Sequence, residues 1–464
     1  MLKSQNLLKG DIKTSIAKMA MPLMGIAFIQ MAYSLVDLIW IGRLSTDAVA
    51  AVGTAGFFMW MANAITLIIK TGMSVELAQA YGRGDEEEIE KITIGGLQLN
   101  FLLWAILTSL FIFGRKYIYG YFHLEKEVFK LALDYHLIIS IGLVFTFLLP
   151  FFSSHFYSQG NSATPFKTSI IALIFNIIMD PILIFGVGPI KPMGIKGAAL
   201  ATILAQALAV CIYIYIGFKY REAYMKYNYF KKIEFQNAKE IFKLGIAPCG
   251  QSLIHNLVSI KLNKYIAVYG TVGIATYAIG SQIESISWMS AEGFATAFTT
   301  FFGQNYGAKN YERLEKGKWV CIKLILAIGI IATAVLMLGS KSLFKIFTPN
   351  DPRVIQEGTI YLLILGSTTI LMSQEIGVSG MLNGLGLTRY PAIVSAIFNV
   401  MRVPLAFFLM KVFELKGIWI SMSASQALKG IFMLGIITYI QKKTKGFRNN
   451  MERYIKKRWE RKKR

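Results

Sequence analysis

The chain is a succession of apolar runs of about 20 residues or more, separated by short polar turns. A run of that length, coiled at ~1.5 Å per residue, crosses a hydrocarbon core ~30 Å thick. Twelve such helices are predicted, at 14–41, 50–79, 93–114, 131–158, 166–187, 195–218, 244–268, 275–304, 319–345, 357–383, 391–412 and 417–440. Lys70 and Glu76 interrupt the second, and Glu284 and Glu292 the eighth.

The pattern is written twice. Pro22 in MAMPLMGIAFIQ and Pro248 in LGIAPCGQSLIH stand 226 positions apart. AQAYGRGDEEEIEK (Ala78 to Lys91) returns 225 residues later as GQNYGAKNYERLEK (Gly303 to Lys316), and IFNIIMDP (Ile174 to Pro181) returns 223 residues later as IFNVMRVP (Ile397 to Pro404). Three matches at nearly one offset argue for a duplicated unit. Six helices per unit is an even number, so both units enter the membrane from the same side, related by an axis along its normal. The expected fold is all-α and integral to the membrane: twelve transmembrane helices in two pseudo-symmetric six-helix bundles facing a central cavity. The expected organisation is an N-terminal lobe at 1–218, a cytoplasmic linker at 219–243, a C-terminal lobe at 244–440 and a basic tail at 441–464.

Composition agrees with the pattern. Hydrophobic residues make up 55% and charged residues only 16%, against about 25% charged in a soluble domain. A net charge of +23 raises the question of nucleic acid, but its placement answers otherwise. With the N-terminus inside, the inner segments hold 29 Lys and Arg and the outer loops 8. The positive-inside rule then favours both termini in the cytoplasm, and the expected location is the cell (inner) membrane. The tail Lys456–Arg464 (KKRWERKKR) reads as an anionic-lipid contact rather than a DNA arm. A cleavable signal peptide is not expected, because LLKGDIKTSIAKMA lacks a compact apolar core followed by an A-x-A site. Cys211, Cys249 and Cys321 show neither pairing pattern nor metal spacing and are expected to pack as small apolar groups.

Carboxylates inside membrane helices are expensive, and each is a functional-site hypothesis. Asp180 lies 14 residues into the fifth helix and Asp37 near the outer end of the first, both about 21 Å from the cytoplasmic face at ~1.5 Å per residue. Thr202 in the sixth helix comes out at about the same depth, and Asn176 is one turn before Asp180 on its face. Two facing carboxylates in low dielectric share a proton or bind a small hard cation such as Na⁺, for which oxygen ligands are suited. The alternative is structural: Asp37 facing water, Asp180 capping a kink at Pro181, and Asn176 and Thr202 bonding between helices.

The second repeat has Asn263 near the place of Asp37 and Val403 at that of Asp180. It carries instead Lys261, Glu284, Glu375 and Arg402, expected to form a polar network that either holds the bundle or lines the cavity. Gln30, Tyr33 and Asp37 share a face of the first helix. Pro22 removes a backbone bond fifteen residues before Asp37, giving either a fixed kink or a moving hinge.

Together these residues resemble the multidrug and toxic compound extrusion (MATE) family, in its prokaryotic DinF-like branch. The resemblance rests on Pro22, Asp37, GQNYGA (Gly303 to Ala308), QGNSATP (Gln159 to Pro165), FNIIMDP (Phe175 to Pro181), GIKGAALAT (Gly194 to Thr202), RYPAIVS (Arg389 to Ser395) and SQIESISWM around Glu284. It implies two V-shaped lobes exporting amphipathic, often cationic compounds by antiport against H⁺ or Na⁺. It places the cation site at Asp37, Asn176, Asp180 and Thr202, the substrate cavity at Gln30 and Tyr33, and bending of the first helix at Pro22. Glu292 and Lys261 depart from the pattern. The nearest rival is a lipid-linked saccharide flippase, which would carry fourteen helices and a cavity rich in Arg and Lys. An enzyme is not expected. The four histidines (His123, His136, His155, His255) have no ligand spacing, and there is no phosphate-binding loop for an ATP-driven pump. No cofactor beyond the coupling ion is expected, and the chain is expected to act as a monomer among membrane lipids.

Overall fold

The computed structural model describes residues 5–229 and 233–443, and the tail Lys456–Arg464 lies outside them. These residues form thirteen α-helices and one 3-10 turn, with no strand among them. In lipid every backbone N–H and C=O must be satisfied within the protein, and a helix does so inside one segment.

The first repeat supplies α1 (Ile12–Gly42), α2 (Thr46–Arg83), α3 (Glu86–Gly120), α4 (Lys126–Ser158), α5 (Ala163–Phe185) and α6 (Ile195–Tyr220). The second supplies α7 (Phe235–Ala267), α8 (Gly270–Gly307), α9 (Tyr311–Leu338), the short α10 (Ser340–Phe347), α11 (Pro352–Gly366), α12 (Thr369–Gly384) and α13 (Arg389–Lys443). Eight of the described helices are long and apolar enough to cross a membrane, or nine if the bent pair α11 and α12 is one span. α13 is two helices joined at Glu414, where the backbone turns to φ 51°, ψ −135°. α7 and α8, at 33 and 38 residues, are long enough but more polar. With these, the elements correspond to the twelve predicted spans.

The helices differ from the predicted spans in three places. The tenth span is broken between Gly366 and Thr369 by a bend of 49°. The ninth ends at Leu338, and α10 follows as a separate amphipathic turn. α7 begins at Phe235, so the last residues of the expected linker are already helical.

Two compact units divide the fold. Among the described residues, one comprises Gln5 and Gly25–Cys249, and the other joins Asn6–Met24 to those from Gly250 onward. The division therefore falls inside α1 and α7, and each unit contains the leading half of the other repeat's first helix. In the first unit α4 packs on α2, α3 and α6, and α5 on α6. In the second α12 packs on α8, α9 and α13.

Small residues set these contacts. Lipid tails are as apolar as leucine, so helices associate in a membrane through close van der Waals approach. Gly72 of α2 lies so near α7 that an added Cβ would stand 2.3 Å from the Ile241 carbonyl oxygen. Gly245 does the same in return, at 2.2 Å from the oxygen of Ile68. Outward, Phe113 is 81% exposed and Leu338 88%, an arrangement costly in water and natural in lipid.

Candidate functional site

The polar face of α5 is its buried face. Thr164, Thr168, Ala172, Asn176 and Asp180 recur every fourth residue and all are buried, with Asn176 and Asp180 fully so. Residues four apart stack along one side of a helix, so Asn176 Nδ2 donates to Asp180 Oδ1 at 3.2 Å. Pro181 follows within the helix and has no N–H to give. α6 reaches α5 through small residues. Gly197 lies against the backbone of Leu183, where a Cβ would meet the carbonyl oxygen at 2.4 Å.

That approach sets Thr202 beside the acids. Its Oγ1 donates to Asp37 Oδ2 at 3.4 Å and to the Ala198 carbonyl at 3.1 Å. Asp37, from α1, lies against Asp180, Thr202 and Asn176. The distant α1 and the consecutive α5 and α6 thus bring all four predicted oxygen-bearing side chains into one cluster. Three of its oxygens, Asp37 Oδ1, Asn176 Oδ1 and Asp180 Oδ2, are buried with no hydrogen-bond partner. A buried carboxylate oxygen lacking a donor is costly. Among the described residues, no lysine or arginine acts on either carboxyl of the pair. Two carboxylates, an amide and a hydroxyl form an all-oxygen set suited to H⁺ or a hard ion such as Na⁺.

Tyr33 is half-buried and within electrostatic reach of both acids. Gln30 stands exposed one turn earlier on α1. α1 runs unbroken through Pro22, and the boundary between the units falls two residues further on, at Met24 and Gly25. One neighbour escaped the sequence reading: Tyr135 of α4, buried and within reach of both carboxylates. A tyrosine in an apolar helix carries no signal of that kind by itself.

The second unit holds a buried charged network. Tyr361 and Gln426 donate to the two oxygens of Glu284, at 3.0 and 2.8 Å. Ser395 donates to Glu375 Oε1 at 2.6 Å, and Lys429 Nζ lies 3.5 Å from Glu375 Oε2. Arg402 donates from Nε to Ser425 at 2.6 Å and sits in the field of both glutamates. Arg402 thus lies within electrostatic reach of Glu284 and Glu375, whereas Lys261 stands apart. It is exposed, with its ammonium 5.4 Å from the centre of the Tyr265 ring. A long lysine at a helix surface keeps its charge outside the protein core. Its place is taken by Lys429, which a search for charges in predicted helices could have found. Glu292 is also exposed.

The all-helical bundle of long apolar helices is that of a multi-pass membrane protein. The chain belongs to the MatE family, whose profile matches twice, at residues 22–182 and 248–408. The two matches lie 226 residues apart, the offset of the repeat. Members of the family are transporters and not enzymes. The chain is 27% identical over 435 residues to a probable multidrug resistance protein NorM of Thermotoga maritima, covering 91% of this chain and 92% of that one. It is 25% identical to a probable multidrug resistance protein YoeA of Bacillus subtilis, covering 95% and 97%. Among solved structures, the outward-facing conformation of a multidrug resistance MATE family transporter superposes with a TM-score of 0.87 at 23% identity, over 95% of this chain and 99% of that one.

Proposed function

We propose that this transporter is a secondary antiporter exporting amphipathic, often cationic compounds from the cytoplasm in exchange for H⁺ or Na⁺. The observation that carries this reading is Asp37 lying against Asp180, Asn176 and Thr202, with three buried oxygens unpartnered. A cation or proton taken up there lowers the negative charge of the pair. Tyr33 and Gln30 continue the same helix side, so a bound organic cation would lie beside Asp37 and be held by its charge. The coupling ion then displaces it, because a ligand moves a two-state equilibrium only through its differential affinity for the states. Relatives named as multidrug resistance proteins support the substrate class.

Both termini would face the cytoplasm, as the distribution of Lys and Arg indicates. The test is transport in proteoliposomes with imposed pH or Na⁺ gradients and a panel of cationic dyes. Dye movement should follow one of the gradients and stop when an ionophore collapses it. Asp37→Asn and Asp180→Asn should each abolish gradient-driven movement at equal protein in the membrane. Normal movement in either variant would remove that residue from the coupling site.

A further inference from the structure

The segment ahead of α1 is gripped by a single arginine. Arg313, in the first turn of α9, donates from Nε to the Leu7 carbonyl at 3.0 Å, from Nη2 to that of Lys9 at 3.0 Å and from Nη1 to that of Gly10 at 2.9 Å. Asn305, at the end of α8, adds a bond from Nδ2 to Leu7 O at 3.1 Å. The segment's own donors are taken up as well, since Asn6 Oδ1 accepts from Leu8 N and Lys9 N. Leu7 is fully buried, and Gly10 turns the chain at φ 77°. Asp11 then caps the helix through Thr14 N at 2.7 Å. Those Thr14 hydrogen bonds, aided by the charges of Lys13 and Arg313, hold the Asp11 carboxyl below its usual range.

This side chain could not be replaced by another. The three carbonyls precede the helix and have no intrahelical donors. Only a planar guanidinium offers several N–H groups in a fixed fork; lysine offers a point charge on a flexible stem. The repeat provides an internal comparison. The position matching Arg313 is Glu88, which accepts from Asn237 Nδ2 in the first turn of α7 at 3.4 Å. The same corner of each repeat thus meets the start of a repeat's first helix, but the three-pronged fork belongs to α1. α1 is the helix that carries Tyr33 and Asp37, and it is unbroken from Ile12 to Gly42.

We propose that Arg313 is a positioning residue for transport, fixing the start of α1 so that cation binding at Asp37 moves the helix as one body. The proposal rests on Asp37 being a coupling residue. Without the fork, ions and dye still bind at their sites, but displacement of the outer part of α1 is no longer delivered to its start. The loss therefore falls on turnover and not on affinity.

The experiment is dye transport in proteoliposomes under an imposed gradient, with dye binding measured in parallel, for wild type, Arg313→Ala, Arg313→Lys, Leu7→Glu, the Arg313→Ala/Leu7→Glu double variant and Asp37→Asn. Arg313→Ala should lower the maximal rate at least fivefold, with the half-saturating dye concentration and the pH dependence of dye binding unchanged within twofold. Arg313→Lys should fall between the two. Leu7→Glu, which expels the segment by burying a charge, should lower the rate similarly, and the double variant should be no worse than the more impaired single one. A wild-type rate in Arg313→Ala overturns the proposal. So does a fall in dye binding that matches the fall in rate, which would mean a general loss of fold. Multiplying effects in the double variant would place the action of Arg313 elsewhere and overturn it too. Asp37→Asn separates the two levels: if it transports normally the coupling site itself is wrong, whereas if it is inactive while Arg313→Ala is normal only the clamp fails.

Discussion

Lys429 and Glu375 face each other inside the second unit, Nζ 3.5 Å from Oε2, with side chains only 9% and 7% exposed. The pair joins α12 to the second half of α13. Two charges held this way lose much of their hydration, and their attraction repays it only while both are present.

Removing one partner should therefore cost more than removing both. Lys429→Met and Glu375→Gln should each destabilise the protein by about 3–5 kcal/mol, the scale of a broken buried pair. The Lys429→Met/Glu375→Met double variant should recover a large part of that loss. Thermal unfolding in detergent measures it, and two additive single effects would show that the charges do not depend on one another.

Within the first unit, geometry ranks the neutral members of the carboxylate cluster. Asn176 gives Asp180 a direct bond at 3.2 Å, whereas Thr202 divides one hydroxyl proton between Ala198 O at 3.1 Å and Asp37 at 3.4 Å. Asn176→Ala should raise the cation concentration needed for half-maximal transport by roughly tenfold, the worth of a hydrogen bond to a charged group. Thr202→Ala should raise it less. Gradient titrations in proteoliposomes decide the order, and the reverse order would contradict the geometry.

Dye affinity should depend on the coupling ion with a definite sign. An organic cation beside Asp37 is held by negative charge, so affinity should fall as pH drops or Na⁺ rises and the carboxylates are neutralised. The dependence should vanish in Asp37→Asn. Equilibrium dye binding across pH and Na⁺ tests this; indifference to both ions would mean that the dye binds away from this face of α1.

The glycine contacts predict a contrast within one helix. Gly72→Ala would force a Cβ against the Ile241 backbone and should destabilise by about 1–3 kcal/mol. Gly53→Ala and Gly56→Ala in the same α2 meet nothing within 4 Å and should be neutral or stabilising by about 1 kcal/mol. Unfolding temperatures of the three variants, compared at equal detergent, would reveal whether the close approach of α2 and α7 matters.

Much of this was readable from the chain alone. Apolar runs of about 20 residues must be helices in lipid, because nothing else satisfies their backbone there. The duplication was visible in its motifs, and Asp37 and Asp180 announced themselves by the cost of a carboxylate in such surroundings. Tertiary structure decided the rest. It assigned the leading halves of α1 and α7 to the opposite repeat's unit, bent the tenth span between α11 and α12, joined Asp37 to Thr202 across 165 residues, added Tyr135 beside them, and buried Lys429 while leaving Lys261 outside. The physical reason is the solvent. In water an apolar stripe tells which face of a helix turns inward, but in a bilayer lipid and protein are equally apolar, so the inward face is chosen by glycine contacts and polar pairings between distant segments, which only the folded chain brings together.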